Sequence, residues 1–389
     1  MSVTAARGFV AAGVAAGVKA DGRTDLALVA TADGRAVPAA AVFTQNQMTA
    51  APVITTRNHL LRTDGRAAAV VLNSGNANAA TGKPGLADAR SMCEAVSTEV
   101  GCETAEVLVC STGLIGIPLP IDAIVAGVPS LVAARADTVE AGEAAAQAIM
   151  TTDTVRKEAV SARDGFVVGG MAKGAAMLAP NMATMLAVLT TDAEASRQQL
   201  KAALTAALPT SFNALSVDGC TSTNDTVILM ASGAAGPVDP EELAAAVAEV
   251  CAELAAQMAG DAEGATKVVR LRVTGAATDA EAEVAARKVA ESQLVKCSWY
   301  GKDPYWGRIA SELGSAGVVF DQGKVRVAYG PHVIADEGVS IDHDAAALAA
   351  YMDQRHLDVT ADLGVGRGEA TVLTNDLTHA YVDENMGTS

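Results

Sequence analysis

Short apolar runs alternate with longer amphipathic ones along most of this chain. DLALVATAD at 25–33, AAAVFTQNQ at 39–47, AAAVVLN at 67–73 and EVLVC at 106–110 have the length and continuity of buried strands. Gly165 to Met171, Thr184 to Asp192, Asn213 to Asp218 and Asp225 to Ala231 read the same way. Residues 267–274, KVVRLRVT, alternate strictly and predict a half-buried strand. Helical spacing predicts helices over Leu86 to Val100, 121–133, 136–150, Glu194 to Leu208, Pro240 to Met258, Thr278 to Val289 and His343 to Met352. Gly101 is a candidate C-cap for the first of these. Val318 to Phe320 and Lys324 to Tyr329 suggest a hairpin across Asp321-Gln322-Gly323. Strands and helices interleave, so the expected class is α/β. A body over about 1–260 is followed by a smaller α+β region over about 261–389, with the boundary near 260–280.

Composition changes that picture in two ways. Half of the residues are hydrophobic but only 3% are aromatic, so alanine, valine and glycine must fill the core and let layers pack closely. The formal net charge is -17, and it is uneven: residues 1–183 carry -2 and residues 184–389 carry -15. With no basic patch in the sequence, nucleic acid is an unfavourable partner, whereas a small anionic substrate is still compatible with a local field. The opening MSVTAARGFV lacks a basic-then-apolar signal, and no uncharged run reaches spanning length, which gives an expectation of a cytoplasmic protein with no membrane segment. The six cysteines form no CxxC and the five histidines no close metal pair, so no metal is expected from local spacing.

Candidate chemistry sits mainly in the loops that follow the strands. NSGNANAATGKPG, from Asn73, offers amides and exposed backbone where a strand ends; a tight turn explains the same residues. The strand at 106–110 runs into Ser111-Thr112-Gly113, whose hydroxyl and N–H groups are candidates for stabilising an oxyanion. MTTDT at 150–154 brings Thr152 and one carboxylate, as a helix cap or part of a pocket. Lys173 precedes Thr184 by eleven residues, and Glu263 lies in the turn GDAEGAT. Were the Ala183–Thr184 bond cut, Thr184 would carry a hydroxyl beside its own α-amine, a nucleophile with a built-in base.

Eight stretches together resemble the ArgJ family of ornithine acetyltransferases. They are NSGNANAATG (73–82), STGLIG (111–116), MTTDT (150–154), KGAAMLAPNMATML (173–186), SFNALSVDGCTSTNDT (211–226), DAEGATK (261–267), LVKCSWYGKDPYWGRI (294–309) and DLTHAYV (376–382). The resemblance covers essentially the whole chain. It implies a layered α/β sandwich like the N-terminal-nucleophile-like fold of the DmpA aminopeptidase. It also implies self-cleavage between Ala183 and Thr184 into an α chain, 1–183, and a β chain, 184–389, paired as an α2β2 heterotetramer. Thr184 matches the family nucleophile, and Thr112 and Gly113 its oxyanion hole. Thr152, Lys173, Thr184, Glu263, Asn385 and Ser389 match its substrate-binding residues. Two departures stand out: Ser389 is four residues beyond Asn385 where the family has five, and DPYWGR carries Tyr305 where the family has Asn.

The implied reaction is a ping-pong transfer of acetyl from N2-acetylornithine to glutamate through an acetyl-threonine, within arginine biosynthesis. No cofactor is implied; acetyl-CoA stays open as a second acetyl donor, since the family includes members with and without that activity. The alternative on the same fold is an N-terminal-threonine aminopeptidase or amidase, whose acyl-enzyme is discharged by water.

Overall fold

The computed structural model describes residues 2–179 and 185–387. Ala183, Thr184 and Ser389 lie outside the described residues. The chain divides into two compact units. One comprises Met1–Asn213 with Thr221–Met258, the other Ala214–Cys220 with Ala259–Gly387.

The first unit is built on two sheets. β1 (Phe9–Val14), β2 (Leu26–Thr31), β5 (Ala69–Asn76) and β6 (Val107–Leu114) form a four-stranded sheet in the order β1-β2-β5-β6. β3 (Val37–Phe43), β4 (Arg66–Ala67), β7 (Lys157–Ala162), β8 (Val167–Lys173), β9 (Leu186–Glu194) and β10 (Thr226–Pro237) form a six-stranded sheet in the order β4-β3-β10-β9-β8-β7. Val29, Val70 and Leu72 of the first sheet share one buried cluster with Met171, Val188 and Ile228 of the second. The two sheets therefore pack face to face, and β2, β5, β9 and β10 read as near-continuous apolar runs because both their faces are covered.

Helices cover the outer faces. α2 (Gly82–Val100) and α3 (Ile121–Ala133) place Met92, Val96, Ile124 and Leu131 against Leu28, Val71 and Val109. Gly101 ends α2 in the left-handed region at φ 84°, donating to Ser97 O, as its sequence position suggests. α1 (Ala51–Arg62) closes the edge of β6: the Thr56 hydroxyl accepts from Val109 N–H and donates to Val109 O. α4 (Val139–Ala148) packs on β1 and β2. α5 (Arg197–Ala207) starts in a capping box between Ser196 and Gln199 and packs on β3. α6 (Pro240–Gly260) is, among the described residues, the one helix long and apolar enough to cross a membrane. Its Leu243, Val247, Val250 and Leu254 are buried, and its Gln257 accepts from Glu158 N–H of β7 at 3.0 Å.

The second unit has one mixed sheet, ordered β14-β13-β12-β15-β11-β16. Its strands are β11 (Val268–Ala276), β12 (Arg326–Tyr329), β13 (His332–Asp336), β14 (Val339–Ser340), β15 (His356–Asp362) and β16 (Gly368–Asn375). α7 (Asp279–Ala290), α8 (Gln293–Tyr300), α9 (Trp306–Gly314) and α10 (Ala345–Met352) accompany it, and α11 (His379–Glu384) follows. Val269, Leu271 and Val273 face a core shared with Val289, Trp299 and Leu313, while Arg270 and Arg272 are exposed.

Two local expectations are corrected. No hairpin joins 318–320 to β12. Asp321 instead accepts from Gly323 N–H in a short 3-10 turn, and β12 pairs with β13 across Gly330-Pro331, where Gly330 takes φ 54°. A two-residue loop with a left-handed first position closes a hairpin more tightly than the Asp-Gln-Gly stretch. Asn213 to Asp218 is not a strand either. Phe212–Ala214 forms a 3-10 turn, and Leu215 makes a single bridge to Leu373. Small and polar residues there bond through side chains, as Ser216 Oγ does to Glu291 at 3.1 Å.

Candidate active site

Three strand ends meet at one level of the six-stranded sheet. Lys173, the last residue of β8, pairs with Leu186, the first of β9, and Leu186 pairs in turn with Thr226, the first of β10. Residue 184 stands two positions before Leu186 in the sequence. In the other sheet β6 ends at the same group of residues: Lys173 Nζ donates to Thr112 Oγ1 at 3.2 Å. Both side chains are buried. Thr112 and Lys173, separated by 61 positions in the chain, are thus brought together.

Gly113, still within β6, takes φ 131°, outside the range a side chain tolerates. A Cβ there would lie 2.3 Å from the Gly75 carbonyl carbon. The glycine stretch at the end of β5 therefore has a structural role, because Gly75 pairs directly with Gly113 at the end of β6. Asn76 Nδ2 ties the loop to Ile117 O and Pro118 O, and Asn78 fastens the start of α2 through Gly85 O.

The 150–154 loop contributes a buried ionic cluster. Asp153 is not a helix cap. Its Oδ1 accepts from Lys157 Nζ at 2.6 Å and from Gly174 N–H at 2.7 Å, and Oδ2 accepts from Thr151 N–H at 3.0 Å. Burial acts to raise the Asp153 pKa, but the charges of Lys173 and Lys157 outweigh it and hold the carboxyl at about 2. An ionised Asp153 thus neutralises two lysines and anchors the residue next to Lys173. Thr152 is exposed on the same loop.

Asp225 completes this unit's polar centre. Its side chain is buried, Oδ1 accepts from Met185 N–H at 2.9 Å, and Oδ2 has no hydrogen-bond partner among the described residues. Burial drives its pKa well above the ordinary carboxylate value; the Met185 amide, the Ser222 hydroxyl and the Lys173 charge pull the other way without offsetting it. Ser222 is near enough to lower the value but forms no well-shaped bond to Oδ2. Neighbouring Asn224 donates to Ala77 O at 2.6 Å and Ser111 O at 2.8 Å, stitching the start of β10 to the Thr112 exit. Sequence reasoning passes over Asp225 and Asn224, because an Asn-Asp-Thr step at a strand start has no distinguishing spacing.

In the second unit Glu263 and Asn385 come together: Asn385 Nδ2 donates to Glu263 Oε2 at 2.8 Å. A cavity of about 150 Å³ is lined by Glu263, Asp218, Lys296, Asn375, Asp376 and Tyr381. Lys296 donates to Thr374 Oγ1 at 3.0 Å and to Asn375 O. Burial lowers its pKa to about 8 despite the opposing charges of Asp218, Asp376 and Glu291. The folded pKa is below the unfolded one, so the unfolded chain binds more protons between pH 8 and about 10.5 and stability rises with pH there. Comparing parent and Lys296→Met by urea denaturation should show the parent gaining up to about 3 kcal/mol on the variant across that window; a constant difference would contradict a buried, strained ammonium.

Larger openings lie elsewhere. A groove of about 510 Å³ between α1 and α2 is lined by His59, Arg62, Lys83 and Arg90 and holds none of the residues above.

A profile of the ArgJ family matches residues 10–387. The chain belongs to the ArgJ family. It is 48% identical over 394 residues to the arginine biosynthesis bifunctional protein ArgJ of Mycobacterium tuberculosis, covering 100% of this chain and 96% of that one. It is also 48% identical over 392 residues to ArgJ of Streptomyces avermitilis, covering 100% of both. Among solved structures, an ornithine acetyltransferase from M. tuberculosis in complex with ornithine aligns with a TM-score of 0.44 and 49% identity, covering 46% of this chain and 94% of that one. A Bacillus halodurans ArgJ structure aligns with a TM-score of 0.48 and 37% identity, over 50% of this chain and 95% of that one. The ArgJ departure at Tyr305 falls on an exposed residue just before α9, where its ring lies over Gly307. Gly307 has no side chain to obstruct it, so the bulkier residue is accommodated without entering the second unit's core.

Proposed function

We propose that this chain is a self-cleaving acetyltransferase that moves acetyl from N2-acetylornithine to glutamate. The observation that supports it most is the register Lys173–Leu186–Thr226, with Lys173 bonded to Thr112. It supports the reading by setting a cation and a hydroxyl from the Ser-Thr-Gly end of β6 at the level where β9 begins, two positions after Thr184 in the sequence.

In this reading Thr184 Oγ attacks the Ala183 carbonyl, and water hydrolyses the resulting ester. The 184 α-amine, with a reference pKa of roughly 7.7–8.0, is then near enough to neutral to serve as base. Thr184 Oγ next attacks the acetamide of N2-acetylornithine; ornithine leaves, and glutamate's α-amine collects the acetyl group. Thr112 and Gly113 stabilise the oxyanion in each half-reaction, and Lys173 strengthens Thr112 as a donor by holding its oxygen as acceptor. Thr152, Lys173, Glu263, Asn385 and Ser389 position the amino acids: Lys173 suits a substrate carboxylate and Glu263 an ammonium. Acetyl-CoA, as a second donor, would load the same hydroxyl. The products 1–183 and 184–389 stay together and assemble as α2β2. The relatives are named for arginine biosynthesis, in keeping with a cytoplasmic enzyme.

Incubation with N2-acetylornithine, with and without glutamate, tests this. Ornithine release should require glutamate and yield N-acetylglutamate. Release that ignores glutamate and yields free acetate would identify an amidase and sink the transferase reading.

A further inference from the structure

The groove between α1 and α2 has no part in the transfer chemistry, and its lining differs from the rest of the first unit's surface. Lys83, Leu86, Ala87 and Arg90 line it from α2, the three- and four-residue spacing of one helical stripe. Ile54, Asn58 and Arg62 line it from α1 at intervals of four. Facing stripes of two helices ordinarily close on apolar side chains. Here they carry three cations around a space of about 510 Å³, and no carboxylate lines it.

Those cations are unpartnered. Arg62, Lys83 and Arg90 are exposed and make no hydrogen bond or ion pair among the described residues. Every other lysine and arginine of the first unit has such a partner, as Arg7 has Asp192, Arg57 has Thr44 O and Lys201 has Ala41 O. In a chain of net charge -17 this groove is a local reversal of the field. Helix stability explains it only in part. Arg62 suits the C-terminal end of α1, but Lys83 sits in the first turn of α2, where the helix dipole opposes it and no acidic residue offsets it.

His59 adds a buried group to the same lining. Its Nδ1 lies 2.7 Å from Val107 O, and a carbonyl only accepts, so Nδ1 carries the proton. Nε2 has no hydrogen-bond partner among the described residues. Burial, joined by the charges of Arg62 and Arg90, lowers the ring's pKa against the pull of the Val107 bond, so the ring is neutral at pH 7. An anion in the groove meets three cations and favours a proton on Nε2, a fourth donor. A second groove of about 390 Å³ continues past Ile54, Lys83 and Leu86, which line both. Met48, Ala51 and Thr81 also line it, and Lys83 is its only charged residue.

We propose that the two grooves together bind a small phosphorylated organic molecule. Its phosphate groups lie among Arg62, Lys83 and Arg90 beside His59, and its uncharged remainder lies along the second groove. Phosphate is the anion this set suits. Arg62 and Arg90 offer planar forks to its oxygens, Lys83 adds a point charge, and three cations match two or three negative charges. A lone carboxylate would leave two cations unmatched, and a nucleic acid needs a longer basic track than three side chains provide. A nucleotide and a phosphorylated acyl carrier share the required chemistry.

ADP and coenzyme A are the probes for those two sources. Binding to the full chain is followed by calorimetry and by the 15N spectrum of the histidine rings, with the His59 signal identified by its loss in His59→Gln. Both probes should shift the His59 ring and raise its pKa. Arg62→Ala and Arg90→Ala, at exposed positions, should each weaken binding about tenfold, and together about 100-fold. Coenzyme A binding about tenfold tighter than ADP identifies an acyl carrier whose arm fills the second groove, and equal affinity identifies a nucleotide; either result supports the site. No change at His59 with either probe, or a shift that survives the double substitution, overturns it. So does inorganic phosphate binding as tightly as both probes, which would mean an adventitious ion only. Binding is read directly, so these outcomes are independent of self-cleavage and of acetyl transfer.

Discussion

Thr184→Ala should be recovered as one uncut chain, while the parent runs as two segments whose second begins TMLAVL. The loss in acetyl transfer should be roughly 10⁴-fold or more, because nucleophile and base are then both absent. The base disappears with the nucleophile since the α-amine exists only after cleavage. Thr184→Ser, which keeps a hydroxyl at the same position, should still be cut. Denaturing electrophoresis, N-terminal sequencing and the glutamate-dependent assay read these outcomes. Cleavage of Thr184→Ala at the same bond would show that another group attacks Ala183, and residual transfer near the parental rate would remove Thr184 from the chemistry.

The largest effect on stability is expected at Asp153. Its carboxylate and the Lys157 ammonium are completely buried at 2.6 Å, and Lys173 acts on the same carboxylate. Asp153→Ala leaves two buried cations facing a gap and also frees Gly174 N–H, so unfolding should become easier by about 3–5 kcal/mol. The same cluster sets an acid limit. Asp153 has a folded pKa of about 2 against an ordinary value of 3.8, so its contribution is fully present above that unfolded value and fades as pH falls toward 2. The gap between parent and Asp153→Ala in urea denaturation should therefore be constant near neutral pH and narrow steadily below about pH 4. An unchanged gap there would mean that the carboxylate is not what the lysines need.

The fold is legible in the sequence where one periodicity dominates. KVVRLRVT alternates, and β11 does place Val269, Leu271 and Val273 in the core with Arg270 and Arg272 outside. The Gly101 cap and the apolar strands of the sandwich can be read for the same reason: local pattern and burial agree. The hairpin before β12 misleads because Asp-Gln-Gly and Gly-Pro are both credible turns, and only cross-strand pairing chooses between them. At the site, motifs point to Thr112 and Lys173, and the structure gives them a direct contact. Lys157 is out of reach of such reasoning. Nothing in its local sequence shows that it is buried, and it is tolerated only because Asp153 neutralises it four residues away. Asp225 is equally hidden. Its bond to Met185 N–H comes from the parallel register of β9 and β10, a long-range pairing that no local window contains.

The central claim is that an acetyl group rests on Thr184 between two amino acids. Mass spectrometry of the denatured protein, quenched after exposure to N2-acetylornithine without glutamate, tests it most directly. The account predicts two segments, with the one beginning at Thr184 heavier by a single acetyl group and returning to its original mass when glutamate is added before the quench. An unmodified 184–389 segment while ornithine is being released, or an acetyl group that glutamate does not remove, would contradict it.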